Sequence, residues 1–209
     1  MSPGSLEREN QELKRTLRLM LSKAERNESI LSNFFEVELR LLSCTRLSEL
    51  LDLILIEFKE YFRLSNVNLI LFDPEHAARS LLDSYVPPTP GNTLRFVQSQ
   101  RLLKTIYPNQ KIIIGPPSEE LSREAFPVSE SKVASCALLP LIRENCLIGS
   151  LHLGSNDVSR YTEHVRYDYI QHLSSVISVC IENCINQENL QRLSSVDMLT
   201  KLYNRRLFD

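Results

Sequence analysis

Tryptophan is absent from the 209 residues, and the aromatic complement is 8 Phe and 7 Tyr. A surface for stacking nucleic-acid bases is therefore poorly supplied. An excess of either charge is missing too: 24 Lys and Arg face 26 Asp and Glu, for a formal net charge of −2. No stretch is basic throughout, which argues against a groove for a phosphate backbone as the main business of the chain, and no nucleic-acid partner is expected. The N-terminus, Met-Ser-Pro-Gly-Ser-Leu-Glu-Arg-Glu-Asn, has no apolar core of a secretory signal. The densest apolar stretches, residues 50–56 and 137–142, are too short to span a bilayer, so no membrane insertion is expected within this chain. Cysteine is scarce, odd in number and unevenly placed at 44, 136, 146, 180 and 184. That excludes a disulfide framework and points to a cytoplasmic protein with reduced thiols.

What remains is enough for a core: 43% of residues are hydrophobic and 24% charged, the balance of an ordinary folded domain with flanking helices. Apolar residues over 6–34 follow a heptad. Leu17, Ala24 and Leu31 take position a, with Asn10 at a as well; Leu6, Leu13, Met20 and Phe34 take d, with Asn27. So narrow a stripe wants a partner helix, with the Asn positions setting register; the alternative is an amphipathic helix packed on its own domain. A second helix is expected over 35–62, apolar on nearly every side. The Thr-x-x-Ser-Glu pattern at 45–49 is suited to capping a helix restart.

The character changes at 66–73, where a short apolar run closed by Asp73-Pro74 reads as a strand. A weaker strand is expected over 80–86, then a break at Pro87, Pro88, Pro90 and Gly91. A helix over 94–107, a strand over 111–114 and a polar loop over 118–130 come next. The clearest element is a hairpin, 134–142 and 146–154, turning at Arg143-Glu144-Asn145, with arms apolar on both faces and hence a sheet covered on both sides. A long helix over 163–195 follows Asp157 and Thr162, either of which is suited to cap it. Its stripe of Ile170, Leu173, Ile177, Cys180, Cys184 and Leu190 thins at 186–189, so its end wants a partner. This order predicts an α+β fold: a central antiparallel sheet with flanking helices, an N-terminal helix, a long C-terminal helix, and a small-molecule pocket on one face.

Two motifs carry resemblances. Ser135, Pro140-Leu141, the polar turn 143–145 and Ile148-Gly149-Ser150-Leu151 resemble the pattern of GAF domains, covering about 31–187. The segment Asp197-Met-Leu-Thr-Lys-Leu-Tyr-Asn-Arg-Arg-Leu-Phe-Asp209 resembles the opening of GGDEF (diguanylate cyclase) domains, with Lys201 where that family usually has Gly. The resemblances imply an N-terminal coiled-coil-like helix (1–30), a GAF-like sensory domain (31–180), a signalling helix (181–196) and the start of a GGDEF domain (197–209). They further imply a homodimer, joined through its N- and C-terminal helices, that couples a signal or small ligand to c-di-GMP synthesis. GTP and Mg2+ would belong to a cyclase domain absent from this chain, which itself is expected to hold no cofactor, no metal and no catalytic residue.

Polar residues on otherwise apolar strands mark the expected pocket: Asn68, Ser150 and His152. With an even-numbered hairpin turn, Ala137 and Leu139 share the face of Ser150 and His152. Tyr85, Arg95 and Phe96 come from the region expected to cover them. For each, a satisfied core or edge group is the competing reading. Cys180 and Cys184, one helical turn apart, read as small apolar residues at a helix interface rather than a metal pair, because His164 and His172 fit no ligand spacing with them. Cys136 and Cys146 raise a third function, a thiol-dependent GAF-like methionine sulfoxide reductase; buried strand thiols are usually inert, which ranks it below a sensor or a ligand-free dimerisation module. Arg205-Arg206, after Asn204, reads as a solvated helix start.

Overall fold

The computed structural model describes residues 3–83, 85, 94–128, 132–162 and 167–195. The tail motif at 197–209 and the 86–93 break lie outside the described residues. The chain divides into two units, Met1–Leu39 and Arg40–Asp209.

The first unit is a helix. It forms most of α1 (Pro3–Ser43), whose described side chains between residues 10 and 28 are all exposed. Leu13, Leu17 and Met20 are each more than half exposed.

In the second unit the chain restarts as α2 (Leu47–Asp52), passes through a π-helical turn (Leu53–Glu57) and ends in α3 (Phe58–Tyr61). The expected 35–62 helix is thus broken. The 45–49 pattern does not cap the restart: Arg46 makes no side-chain cap, and the Leu47 N–H donates instead to Glu188 Oε1 at 2.5 Å. A carboxylate 141 residues away answers an orphan donor of the helix start. Leu47, Leu50, Leu51, Leu53 and Ile54 are buried together.

Five strands make one sheet in the order β2-β1-β5-β4-β3, with β1 at Asn66–Phe72, β2 at Leu94–Val97, β3 at Ile113–Gly115, β4 at Ser135–Arg143 and β5 at Cys146–Ser155. The central β1, β5 and β4 are antiparallel, as is β3, whereas β2 joins β1 in parallel. This is the α+β architecture expected, with the 94–107 helix corrected. Its first four residues are strand β2 and only Arg101–Ile106 is helical (α5). Phe96 and Val97 suit a strand, and an unpaired edge of β1 was there to receive them.

Two further expectations are corrected. The weak strand over 80–86 begins instead as helix α4 (Ala77–Leu81). The Asp73 carboxylate holds its first turn, accepting the Ala78 N–H at 3.1 Å and the Arg79 N–H at 2.9 Å. The polar 118–130 loop contains α6 (Glu119–Ala125). Ser118 caps it by accepting the Leu121 N–H at 3.2 Å, and Glu119 and Glu120 sit favourably in its first turn.

The hairpin turn is two residues, Glu144 and Asn145, both left-handed (φ 47° and 62°), the geometry that matches strand twist. From the turn, Arg143 faces Cys146 and Ile142 faces Leu147; a bulge then shifts the register so that Leu141 faces Gly149. Beyond it Leu138 stands opposite His152 and Pro140 opposite Ser150. The even-numbered turn is present, but the bulge reverses the facing that such a turn would set. Ala137 and Leu139 pair with Leu153 and Leu151, on the other face from Ser150 and His152.

That other face carries α7 (Tyr167–Ser195), packed along β4 with Ile170, Leu173 and Ile177 buried. Ser174 Oγ donates to the Pro140 carbonyl at 2.6 Å, and Arg143 pairs with Glu182 at 2.7 Å. The end of α7, expected to want a partner past 186, makes contacts within this unit. Glu188 caps α2, and Arg192 donates to the Ser80 carbonyl at 3.1 Å. Leu190 and Leu193 stay exposed.

Candidate functional site

The face opposite α7 is built from Asn68 and Ile70 of β1, Cys136 and Leu138 of β4, and Leu147, Ser150 and His152 of β5. Leu103, Ile106, Tyr107, Ala125, Phe126 and Val133 pack onto it, so α5 and α6 close the layer. Three polar side chains are sealed beneath them: Asn68 is 2% exposed, Ser150 and His152 0%.

Their hydrogen bonds form one chain. Tyr107 Oη lies 2.5 Å from Ser150 Oγ, and Ser150 Oγ lies 2.5 Å from His152 Nε2. His152 Nδ1 is 3.0 Å from the Ala125 carbonyl, which also accepts Asn68 Nδ2 at 2.7 Å. A carbonyl accepts only, so Nδ1 must carry the imidazole proton. Burial holds His152 down at about 4; its bond to the Ala125 carbonyl works against this and Arg95 adds to it. The ring is therefore neutral at pH 7, and Nε2 accepts the Ser150 O–H. Tyr107 then donates to Ser150, and every proton in the chain has one direction. Burial likewise pushes the Tyr107 phenol well up, so it stays a donor.

Ala125 is the last residue of α6, where helix carbonyls lack partners within the helix. Asn68 and His152 satisfy that carbonyl, and Ser150 holds Tyr107, the residue after α5. The two helices covering the sheet are thus pinned to it by the polar residues that sequence alone marked as pocket lining. A cleft of about 1200 Å³ opens outside this layer, with Arg95, Arg101, Tyr107, Lys111, Glu120 and Glu124 among the residues on its walls. Arg95 Nη1 donates to the Glu124 carbonyl at 3.4 Å, next to the anchored Ala125.

Of the eight residues expected at the site, Asn68, Ser150 and His152 are brought together, and Arg95 stands on the cleft wall beside them. Tyr85 is elsewhere, its hydroxyl donating to Asp52 Oδ1 at 2.8 Å; burial first, then that bond, raise its pKa. Phe96 of β2, paired with Leu71 of β1, lies under the Arg79 guanidinium at 5.2 Å. Ala137 and Leu139 face α7. Sequence reading missed Tyr107 and the Ala125 carbonyl. The Ser118 cap with two acidic residues behind it was the available signal for α6; nothing local marked Tyr107.

Burial pushes the Cys136 thiol up to about 12. Cys136 faces Gly154 and Cys146 faces Arg143, at opposite ends of the hairpin, so the two sulfurs do not form a pair. Cys180 and Cys184 are buried in α7, with Cys184 Sγ donating to the Cys44 carbonyl at 3.5 Å. Among the described residues no cluster of three His, Cys, Asp or Glu could hold a metal ion, and no helix is long and apolar enough to cross a membrane.

The model of the family described as "Protein of unknown function, DUF484" matches residues 5–186. The chain belongs to the DUF484 family. No curated protein matches it. Among solved structures, this DUF484 chain is similar to the GAF domain from a phosphoenolpyruvate-protein phosphotransferase of Coxiella burnetii. Identity there is 11% and the TM-score 0.55, over 78% of this chain and 98% of that one. The GAF domain from the Acinetobacter phosphoenolpyruvate-protein phosphotransferase gives 14%, a TM-score of 0.52 and coverage of 80% and 97%. The bacteriophytochrome RpBphP3 of R. palustris gives 14%, 0.50 and coverage of 79% and 40%. At these identities the likeness is one of fold: the DUF484 domain has the GAF fold.

Proposed function

We propose that this chain is a dimeric, GAF-type regulatory module that senses a small ligand in the cleft beside Arg95 and passes its state through the β4–β5 hairpin to α7. The observation that carries this reading is the double attachment of the hairpin. On one face Ser150 and His152 hold the walls of the cleft. On the other, Pro140, Ile142 and Arg143 are bound to Ser174, Ser178 and Glu182 of α7. A ligand that favours one arrangement of α5 and α6 has a short route to α7. The GGDEF-like motif at 197–209 supports a diguanylate cyclase as the output, with GTP and Mg2+ bound by that downstream domain and with dimerisation through the terminal helices bringing two cyclase domains together.

Thermal-shift titration with nucleotides and small anionic metabolites tests the ligand. A true ligand at a hundredfold excess over its Kd stabilises by about 2.7 kcal/mol, and Arg95→Ala abolishes that gain. For the output, the gene product extended beyond Asp209 forms c-di-GMP from GTP while the 209-residue chain forms none; turnover by the shorter chain sinks the assignment.

A second reading has its own support. Tyr107, Ala125 and Phe126 fill the space directly over Ser150 and His152. A module of this kind needs no ligand and acts as a dimerisation element alone. An empty thermal-shift screen combined with a dimeric protein favours it.

A further inference from the structure

We infer that the exposed face of α1 pairs with α1 of a second copy of this chain in a parallel, in-register coiled coil. This inference rests on the dimeric reading above and adds its geometry. α1 runs for 41 residues, and its described side chains at a and d between Asn10 and Ala24 are all exposed. Leu13, Leu17, Met20 and, at position e, Leu21 leave a continuous apolar stripe of the width a single partner helix covers.

Two orientations keep the polar core residues together. In the parallel arrangement Asn10 meets Asn10 and Asn27 meets Asn27. In the antiparallel arrangement with Asn10 against Asn27, every apolar layer is also filled, so the core does not decide. The flanking charges do. By sequence position Glu9 and Lys23 are g residues, while Glu7, Lys14 and Glu28 are e residues. Parallel helices bring g beside the e position five residues on in the other copy, which sets Glu9 against Lys14 and Lys23 against Glu28. Each contact occurs twice by symmetry, giving four attractive pairs and no repulsive one. Antiparallel helices bring e beside e and g beside g. Glu7 then meets Glu28 twice, and none of these charges finds an opposite partner. Opposite charges at e and g select partner and orientation, and like charges there repel.

The test uses the full 209-residue chain. Glu9→Lys/Glu28→Lys makes all four flanking positions basic, and Lys14→Glu/Lys23→Glu makes them all acidic. Each variant alone is expected to weaken dimerisation roughly tenfold or more, measured by analytical ultracentrifugation, and an equimolar mixture is expected to recover wild-type affinity as a heterodimer. Recovery on mixing also shows that neither variant is misfolded. In a Cys146→Ser background, Leu13→Cys is expected to form an intermolecular disulfide under mild oxidation. The antiparallel arrangement sets the two positions about 16 Å apart along the axis, beyond disulfide reach. A wild-type dimer that survives both reversals, fails to recover on mixing or gives no crosslink at residue 13 overturns this pairing and leaves the dimeric module standing. A monomeric wild-type chain overturns both.

Discussion

Ser178 of α7 accepts the backbone N–H of Ile142 at 3.1 Å, at the bulge where β4 and β5 change register. The same hydroxyl donates to the Ser174 carbonyl at 2.7 Å, and both serines are buried. A bulge disturbs the ladder and needs a partner for the backbone it displaces. Here α7 supplies one.

Ser178→Ala should therefore cost about 1 kcal/mol, the loss of a hydrogen bond to a part-buried N–H. Ser175→Ala, on the exposed side of α7, should cost close to nothing. Urea denaturation of the two variants checks this, and equal stabilities would refute the role given to Ser178.

The polar chain under α5 and α6 predicts graded losses. Tyr107→Phe removes only the terminal donor, since Ser150 still donates to His152, and should cost about 1 kcal/mol. His152→Ala strands the Ser150 hydroxyl and opens a cavity, for about 2–4 kcal/mol. Chemical denaturation giving the reverse order would show that the proton directions are wrong.

The depressed His152 pKa sets a pH dependence. In the unfolded chain the ring protonates near 6.5, but in the folded protein only near 4. Between these values the unfolded state binds more protons, so stability is full above pH 6.5 and falls as the pH drops toward 4, by about 3 kcal/mol at most. His152→Leu should flatten the curve in that window. An unchanged slope in the variant would remove His152 as the cause.

Gly149 is required by close approach. A Cβ there would sit 2.5 Å from the Ile70 carbonyl oxygen, a backbone atom of the neighbouring strand. Gly149→Ala should push β1 from β5 and cost about 2 kcal/mol or more, on the order of a severe core substitution. Gly154→Ala meets side-chain atoms of Phe126, Asn66 and Val133 at 3.1–3.2 Å, which can give way, and should cost less. Thermal melts of the two variants compare them directly.

Much of this architecture is legible in local pattern. The 66–73 run became β1, the 134–154 hairpin became β4 and β5, and the long last helix became α7, because each carries a strong local period. Where local pattern and tertiary demand disagree, the sequence misleads. The 94–107 segment has enough helical character to hide a strand that exists only because β1 offers an edge. The Ser118 cap is local and readable, yet the polarity of 118–130 masks it.

For the site, composition alone singles out Asn68, Ser150 and His152, since polar residues on apolar strands must find partners when buried. It does not say which partners. Tyr107 meets Ser150 across 43 residues, and Ala125 meets Asn68 across 57. The sequence by itself determined the hairpin, the place of its turn and the heptad of α1, all of them periodic or adjacent in the chain. Only the tertiary structure decided which face each strand residue occupies. One bulge shifts a period-two pattern by one, and that moved Ala137 and Leu139 from the cleft side to the face that carries α7.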